Sequence, residues 1–466
     1  MPSSSLAREL RAVIRTGRVL DDPAELDSYS YDASFAAFLH PCPPDVVVQP
    51  TTTADVAAVL RLADRLEVPV TPRGAATGQS GGAVPVKGGI VIDLSQMKRV
   101  LDLDAPNLQL FCEPGVVHAD VNALLARAGL VFPPDPGSSR MCTIGGMVST
   151  NARGMRAMKY GATSEWVLGL EVVLADGSVI WTGSPGSRAL QSASGYELSK
   201  LFAGAEGTLG VITQLRLKVR PLPPARGLTL AAFPSLEATT AALSAVLGAG
   251  ILPSAVEIFD QRMIETANRF RPDLGLPSAA ALLLFEVDGN LPGVHYDAQE
   301  IARVVRPFAC QVDWADDPPR VAQIWEARSV AGAAVGLLQP KGVRAYAGED
   351  ICVPITRLGE ALERIQAISA EYGVPIASYG HIGGGIVHAA LVADLTATEQ
   401  LARVEQAADA INCLALELGG TVTGEHGVGF VRARYLEREH GPALAVMRQI
   451  KRALDPKGIL NPGKFV

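Results

Sequence analysis

Seven histidines serve 466 residues, and three of them stand beside glycines in two short motifs. Gly380-His-Ile-Gly-Gly-Gly-Ile-Val-His388 carries two, and Thr423-Gly-Glu-His-Gly-Val-Gly429 carries the third. Glycine lets a ligand approach the backbone, so a scarce ligating residue set among glycines points to a site rather than to packing. His381, His388 and Glu425 make two imidazoles and a carboxylate, a donor mix that suits zinc, manganese or another divalent first-row ion. His426, next to Glu425, then remains for general-base work, because imidazole titrates near neutral pH. Trp325-Glu-Ala-Arg328 adds a guanidinium just ahead of a run without charge from Ser329 to Leu338. Between apolar walls it can clamp a carboxylate through two parallel N–H bonds; an ordinary salt bridge to a nearby acid is the other reading.

Two more stretches have the character of phosphate-binding loops. Pro134-Asp-Pro-Gly-Ser-Ser-Arg-Met-Cys-Thr-Ile-Gly-Gly-Met-Val-Ser-Thr-Asn-Ala-Arg-Gly154 joins a turn, a glycine pair and small hydroxyl and amide side chains. Pro72-Arg-Gly-Ala-Ala-Thr-Gly-Gln-Ser-Gly-Gly82 is similar. Exposed N–H groups in such loops bind anionic oxygens, and two of them in one chain point to a large phosphorylated cofactor. Arg73 and Lys159 lie beside these loops, where they can meet phosphate or stand as solvated charges.

These residues need elements to hold them. Thr53 can cap a helix with Val56, Val59, Leu60 and Ala63 on one face. Strands are expected at 68–70, running into the first glycine loop, at 89–94 and at 108–112, with a helix over 119–128. Asp176-Gly177 suits a tight primed turn and predicts a hairpin between 172–175 and 179–181. A strand over 211–219 ends at Pro221-Leu-Pro-Pro224, the expected domain boundary. Beyond it, strands at 228–232, 255–259, 282–287 and 311–314 alternate with helices at 236–247 and 298–305, which predicts an antiparallel sheet with helices on one face. An amphipathic helix follows over 398–418, and a last one over 442–454 stops at Asp455-Pro-Lys-Gly458. Residues 1–41 read as a helical lead segment.

The bulk properties exclude several classes. The length suggests about two or three domains, and 48% hydrophobic residues suffice for a sizeable core. A net charge of −7, without basic clusters among aromatics, argues against a nucleic-acid partner. No apolar run is long enough to span a bilayer, and Met1-Pro-Ser-Ser-Ser does not open a signal peptide. Cys42, Cys112, Cys142, Cys310, Cys352 and Cys413 are scattered without a C-x-x-C, which fits a reduced cytoplasm and excludes a cysteine-held iron–sulfur cluster.

The order of these motifs resembles a known family. The glycine loops, Lys159-Tyr-Gly161 and Glu206-Gly-Thr-Leu-Gly-Val-Ile-Thr213 look like the FAD domain of the vanillyl-alcohol oxidase / p-cresol methylhydroxylase flavoproteins. Residues 380–388, Gly424-Glu-His-Gly427 and Asn461-Pro-Gly-Lys464 look like the branch that holds D-lactate dehydrogenase, D-2-hydroxyglutarate dehydrogenase and the FAD-carrying chain of glycolate oxidase. The resemblance runs from Pro44 to Lys464. It implies an α+β fold: a two-subdomain FAD-binding domain over 42–222 and an α+β cap domain with an antiparallel sheet over 223–466. The cap would carry the metal and catalytic histidines, with the C-terminal segment returning to the FAD.

Carried over residue by residue, the resemblance implies FAD contacts at Arg73, Gly74, Thr77, Gly78, Ser80 and Gly81. It adds Pro136, Ser138, Thr143, Gly145, Gly146, Asn151 and Gly154, then Glu206, Gly210, Ile212 and Asn461. It gives the metal to His381, His388 and Glu425, the base role to His426, and the substrate carboxylate to Arg328. The first loop has neither His nor Cys, so the FAD is expected to be non-covalent. The implied activity is FAD-dependent oxidation of a 2-hydroxy acid to the 2-keto acid, with hydride passing to flavin N5. The implied partners are the hydroxy acid and an external electron acceptor: an electron-transfer flavoprotein, an iron–sulfur subunit or a quinone. A homodimer or a subunit of a hetero-complex is expected in the cytoplasm, held to the inner membrane, if at all, through a partner.

The chain departs from the family pattern in places. Gly383-Gly-Gly-Ile386 replaces Gly-Asp-Gly-Asn between the metal histidines, and Asn151-Ala-Arg-Gly154 replaces Asn-Ala-Gly-Gly. Ala389 and Ala390 follow His388 where the hydroxyglutarate branch has polar contacts, and no lysine stands near Gly348. Glycolate or D-lactate is therefore favoured over D-2-hydroxyglutarate. The alternatives are a non-catalytic FAD-carrying subunit of a larger oxidase complex and, on the same scaffold, a non-redox alkyl-glycerone-phosphate synthase.

Overall fold

The computed structural model describes residues 3–345, 350–394 and 396–465. The position at Gly348 lies outside them. The chain forms two compact units, one of Met1–Arg153, Ala162–Leu222 and Glu425–Val466, the other of Gly154–Gly161 and Pro223–Gly424.

In the first unit the strands Gly17–Leu20, Val46–Pro50, Ile90–Asp93 and Val70–Arg73 lie side by side in that order. The last three run parallel, and Gly17–Leu20 pairs antiparallel at the edge. The parallel pairs need a crossover, which the helix Thr53–Leu66 supplies. Its cap is Thr52, whose side chain accepts the Asp55 N–H, one residue before the position expected from sequence. Val56, Val59, Leu60 and Ala63 are buried against Val46, Val48, Ile90 and Ile92. The second sheet is antiparallel and orders Val100–Asp104, Gln109–Cys112, Val211–Lys218, Val167–Val173 and Val179–Trp181.

The lead segment is not wholly helical: Gly17–Leu20 is a strand. Two causes act there. The Asp55 carboxylate takes the Arg15 N–H at 2.8 Å and the Thr16 hydroxyl at 2.5 Å, which ends the first helix. Gly17 then turns at φ +107°, so close to the next strand that a Cβ would meet Gln49 O at 2.2 Å.

The C-terminal segment returns to this unit. Asp455 ends the helix Ala443–Leu454, and its carboxylate accepts the N–H groups of Ile459 and Leu460 at 3.0 and 2.8 Å. That turn aims the chain along Val70, which donates to Ile459 O and accepts from Asn461 N–H.

The second unit holds one antiparallel sheet in the order Gln311–Ala315, Ala225–Phe233, Ala281–Gly289, Ala255–Asp260, Ile376–Gly380, Ile386–Ala393, Val343–Ala345, with Ile351–Cys352 also on Ile386–Ala393. Helices cover both faces rather than the one expected. Thr229 points to the helix Leu291–Val305, and its hydroxyl donates to Ala298 O at 3.0 Å. Leu228, next to it on the strand, points the other way and packs on Val321 and Ile324 of Pro318–Ser329. A run of apolar residues without alternation, such as Ala281 to Phe285, is what burial of both faces requires. Among the described residues no helix is long and apolar enough to cross a membrane.

Candidate active site

The first unit gathers most of the residues expected at the cofactor. Loop 72–82 and loop 134–154 touch: a Cβ on Gly74 would meet the Thr143 hydroxyl at 2.4 Å. Thr143 caps the short helix Ile144–Ser149. Gly145 lies on Pro114, which a Cβ would meet at 2.4 Å. Gly210 lies on Val172 in the same way, and Ile212 is buried in the strand beside it. Asn151 adopts φ +49° and accepts the Ser164 N–H at 2.9 Å. Pro136 and Ser138 shape the second loop by accepting N–H groups from Ser139, Met141 and Cys142.

Many of the polar side chains here hold loops together. The Glu206 carboxylate accepts Val428 N–H at 2.6 Å and Gly429 N–H at 2.7 Å. Burial pushes its carboxyl pKa up, against these two bonds. The Asn461 amide donates to Gly82 O at 2.9 Å and to Glu206 O at 2.7 Å. Lys464 donates to Asn461, and burial pushes its amine down to about 7. The Arg73 guanidinium goes to Tyr31 O at 2.7 Å and Ser28 O at 3.3 Å, with its cation over Tyr29.

What the first loop has left to offer is backbone. Among the described residues, no N–H of residues 74–82 donates a hydrogen bond within the protein. The Gln79 amide oxygen is buried there without a protein donor. A Cβ on Gly78 or on Gly137 of the second loop would meet open space. The row is mostly half-buried, with Ser80 and Gly81 buried, so its N–H groups are left to an anionic ligand or water. The diphosphate of FAD fits that demand.

One supporting residue was missed in the sequence. His118 is buried below the second loop, with Nδ1 2.7 Å from the Ser139 hydroxyl and Nε2 3.1 Å from the Asn122 amide. Asn122 in turn exchanges two bonds with the Phe132 backbone. Nothing in the sequence near His118 marks it, because its partners come from a loop that only folding brings close. Burial lowers its pKa to about 4. The unfolded chain therefore takes up this proton first, and stability present above pH ~6.5 is lost as pH falls through about 4. His118→Gln is expected to flatten the fall of the melting temperature between pH 6.5 and 4, measured against wild type; an unchanged slope would remove His118 as its source.

In the second unit one face of the sheet gathers several of the expected site residues. Tyr379 and His388 are cross-strand partners with ring centroids 5.3 Å apart. Phe259 pairs with Tyr379, and Glu257, two residues along the same strand, shares its face. The Glu257 carboxylate joins two expected site residues: Oε1 lies 2.6 Å from His381 Nδ1, and Oε2 accepts Arg328 Nε–H at 2.5 Å. Burial alone would raise Glu257; His381 and Arg328 hold it below its ordinary value. A carboxylate only accepts, so His381 carries its proton on Nδ1, leaving Nε2 as the acceptor atom of the ring. The His381 and His388 rings meet edge to face at 5.2 Å. The Arg328 cation lies over Tyr379, 5.2 Å from its centroid.

Asp350 is a second residue the sequence did not reveal. It is buried, takes the Thr423 hydroxyl at 2.7 Å, and has a carboxylate oxygen within 4.8 Å of a His388 ring nitrogen. A lone aspartate far from any histidine gives no sequence signal. Glu425 and His426 belong to the first unit, with His426 Nε2 3.7 Å from Glu425 Oε1.

Within residues 383–386, packing explains the two glycines that match the family pattern, not the glycine that departs from it. Gly383 abuts Met158, whose sulfur a Cβ would meet at 2.4 Å, and Gly385 at φ +85° abuts Val353 O at 2.2 Å. Only Gly384 faces open space. Ile386 is buried against Gly424. Lys159 goes to Asp288 at 2.5 Å, and Arg156 to Glu286 at 2.6 Å, within the second unit; Gly154 begins this segment.

Two family models match the chain, and the C-terminal one begins at Leu222 but also takes residues 425–465, which belong to the first unit. Residues 222–465 match the family model "FAD linked oxidases, C-terminal domain", and residues 44–183 match "FAD binding domain". Glycolate oxidase subunit GlcD of Bacillus subtilis (strain 168) is 36% identical over 440 residues, 94% of this chain and 91% of that protein. A probable mitochondrial D-lactate dehydrogenase of Danio rerio is 36% identical over 434 residues, 92% of this chain and 86% of that one. A crystal structure of p-cresol methylhydroxylase with substrate bound superposes with a TM-score of 0.81 at 18% identity, covering 99% of this chain and 96% of that one, a likeness of fold.

Proposed function

The chain belongs to the FAD-linked oxidases, and from that premise we propose that it oxidises a small 2-hydroxy acid, glycolate or D-lactate, to the 2-keto acid. The observation that carries this reading is Glu257, whose buried carboxylate ties the anion-binding Arg328 to the ligating His381 on one sheet face. The names of the glycolate oxidase and D-lactate dehydrogenase relatives support the substrate class.

FAD, bound non-covalently by residues 72–82, 134–154 and 206–212, supplies the two-electron acceptor for the C2 hydrogen. A zinc, manganese or similar ion on His381, His388 and Glu425 would supply Lewis acidity at the substrate hydroxyl, and Asp350 beside His388 adds an oxygen donor of the right kind. Imidazole nitrogens and carboxylate oxygens fit such an ion. The rest falls to the chain itself. Arg328 takes the substrate carboxylate, and its Nε edge is fixed by Glu257 before substrate arrives, which lowers the cost of orienting it. His426 accepts the hydroxyl proton as general base. Ala389 and Ala390 offer no hydrogen bond to a second carboxylate, which sets D-2-hydroxyglutarate behind the monocarboxylates. The sequence holds no cluster motif, so electrons leave to an external acceptor: an electron-transfer flavoprotein, a separate iron–sulfur subunit or a quinone. We place the enzyme in the cytoplasm on its cysteine usage.

Anaerobic mixing of the FAD-loaded protein with glycolate, D-lactate, L-lactate and D-2-hydroxyglutarate, read at the flavin band, tests this. Bleaching is expected with glycolate or D-lactate, and slower bleaching after exhaustive chelation. A flavin that no 2-hydroxy acid bleaches would favour the non-catalytic FAD-carrying subunit, to which the missing acid and amide at Gly384 and Ile386 also point.

A further inference from the structure

We propose that Ser80 and Arg432 form a latch through which the cofactor loop sets the position of His426. This rests on the reading of His426 as the base, and it lies wholly within the first unit. The Ser80 hydroxyl sits 3.0 Å from His426 O and 2.8 Å from Gly427 O, and its one proton is shared between them. Its oxygen accepts from Arg432 Nη1 at 2.6 Å, and the same nitrogen reaches Gly427 O at 3.2 Å. The Ser80 carbonyl accepts Phe430 N–H at 3.1 Å. One serine in the middle of the 72–82 loop thus holds the backbone on both sides of the Gly427–Gly429 turn.

The packing leaves that turn little slack. Gly429 adopts φ +51° with a Cβ position 1.8 Å from Ser80 O. Gly81 at φ +78° has a Cβ position 2.1 Å from the Phe430 ring. Glu206 clamps the next two N–H groups. Arg432 is 1% exposed, and its Nε is buried without a protein acceptor.

The consequence is a coupling. Among the described residues the N–H row of 74–82 has no protein acceptors, so FAD bound there would add bonds that tighten this loop. Ordering Ser80 then orders the His426 backbone, and by linkage the His426 segment strengthens FAD binding by the same factor. The Ser80 hydroxyl, expected from the resemblance at FAD, is committed to these bonds instead, so Ser80 and Arg432 are positioning residues that act on the substrate only through His426.

Hydrogen exchange of peptides covering residues 425–432, in the FAD-free and FAD-saturated full chain, reads this directly. In wild type, FAD is expected to slow exchange there by about 5- to 150-fold, the usual span of coupling between sites. In Ser80→Ala and in Arg432→Met the slowing should vanish, FAD should bind more weakly by a similar factor yet still saturate, and kcat should fall with KM little changed. Arg432→Lys should restore the slowing in part. The latch is overturned by equal slowing in wild type and variants, by no slowing in wild type, or by variants that cannot be saturated with FAD at all. His426→Ala keeps every latch bond, since Ser80 holds a backbone carbonyl, so it should retain the slowing. Its turnover judges the base role separately.

Discussion

His426→Ala is expected to lower kcat by about 10²–10⁴-fold, the usual worth of a positioned general base, while FAD remains bound. The alanine keeps the backbone carbonyl that Ser80 holds, and Glu206 still takes the N–H groups of Val428 and Gly429. The backbone bonds that tie this segment to the cofactor loops therefore remain. What goes is the imidazole alone, set beside Glu425 at 3.7 Å. Steady-state turnover of glycolate or D-lactate, with the flavin spectrum as a check on loading, decides it. Wild-type turnover in the purified, fully loaded variant would return the base role to another group.

A second large effect is expected in stability. Glu286 is fully buried and accepts from Arg156 through two bonds at 2.6 and 2.8 Å, from Trp325 Nε1–H at 2.7 Å and from Ser254 at 3.0 Å. Glu286→Ala removes the carboxylate that meets the largely buried Arg156 guanidinium through two bonds. Breaking one side of a buried pair costs about 3–5 kcal/mol, which for a unit of this size corresponds to a loss of roughly 6–20 °C in Tm. Thermal unfolding followed by near-ultraviolet circular dichroism checks it, and a shift of under about 1 °C would show that the pair contributes nothing net. Arg156 belongs to Gly154–Gly161, the segment that continues the second glycine loop, and Lys159 and Tyr160 add bonds to Asp288 in the same unit. That explains why Lys159 does not serve phosphate: a buried carboxylate claims its charge.

The two units were legible in the sequence to different depths. The helix at Thr53–Leu66 and the hairpin around Asp176-Gly177 follow from local rules, a cap with a periodic apolar face and a dipeptide that accepts φ > 0. The strand Gly17–Leu20 did not show, because what makes it one is Asp55, distant in sequence, pulling on Arg15 and Thr16. The two-sided burial of the cap sheet did not show either. A strand buried on both faces loses its alternation, and with it the signal that says which side the helices cover.

The chemistry divides the same way. Residue type and spacing alone identified the three histidines, Glu425, Arg328 and the two glycine loops, because scarcity beside glycine, and glycine rows themselves, are local properties of the chain. Glu257, Asp350, His118 and the Ser80–Arg432 pair emerged only from the fold. Each is an ordinary polar residue in its own stretch of sequence, and each gains its role from a partner brought within about 3 Å by sheet register or by the returning C-terminus. Local chain chemistry can single out candidate groups; which groups hold them in place is set by long-range pairing, and that is a property of three dimensions.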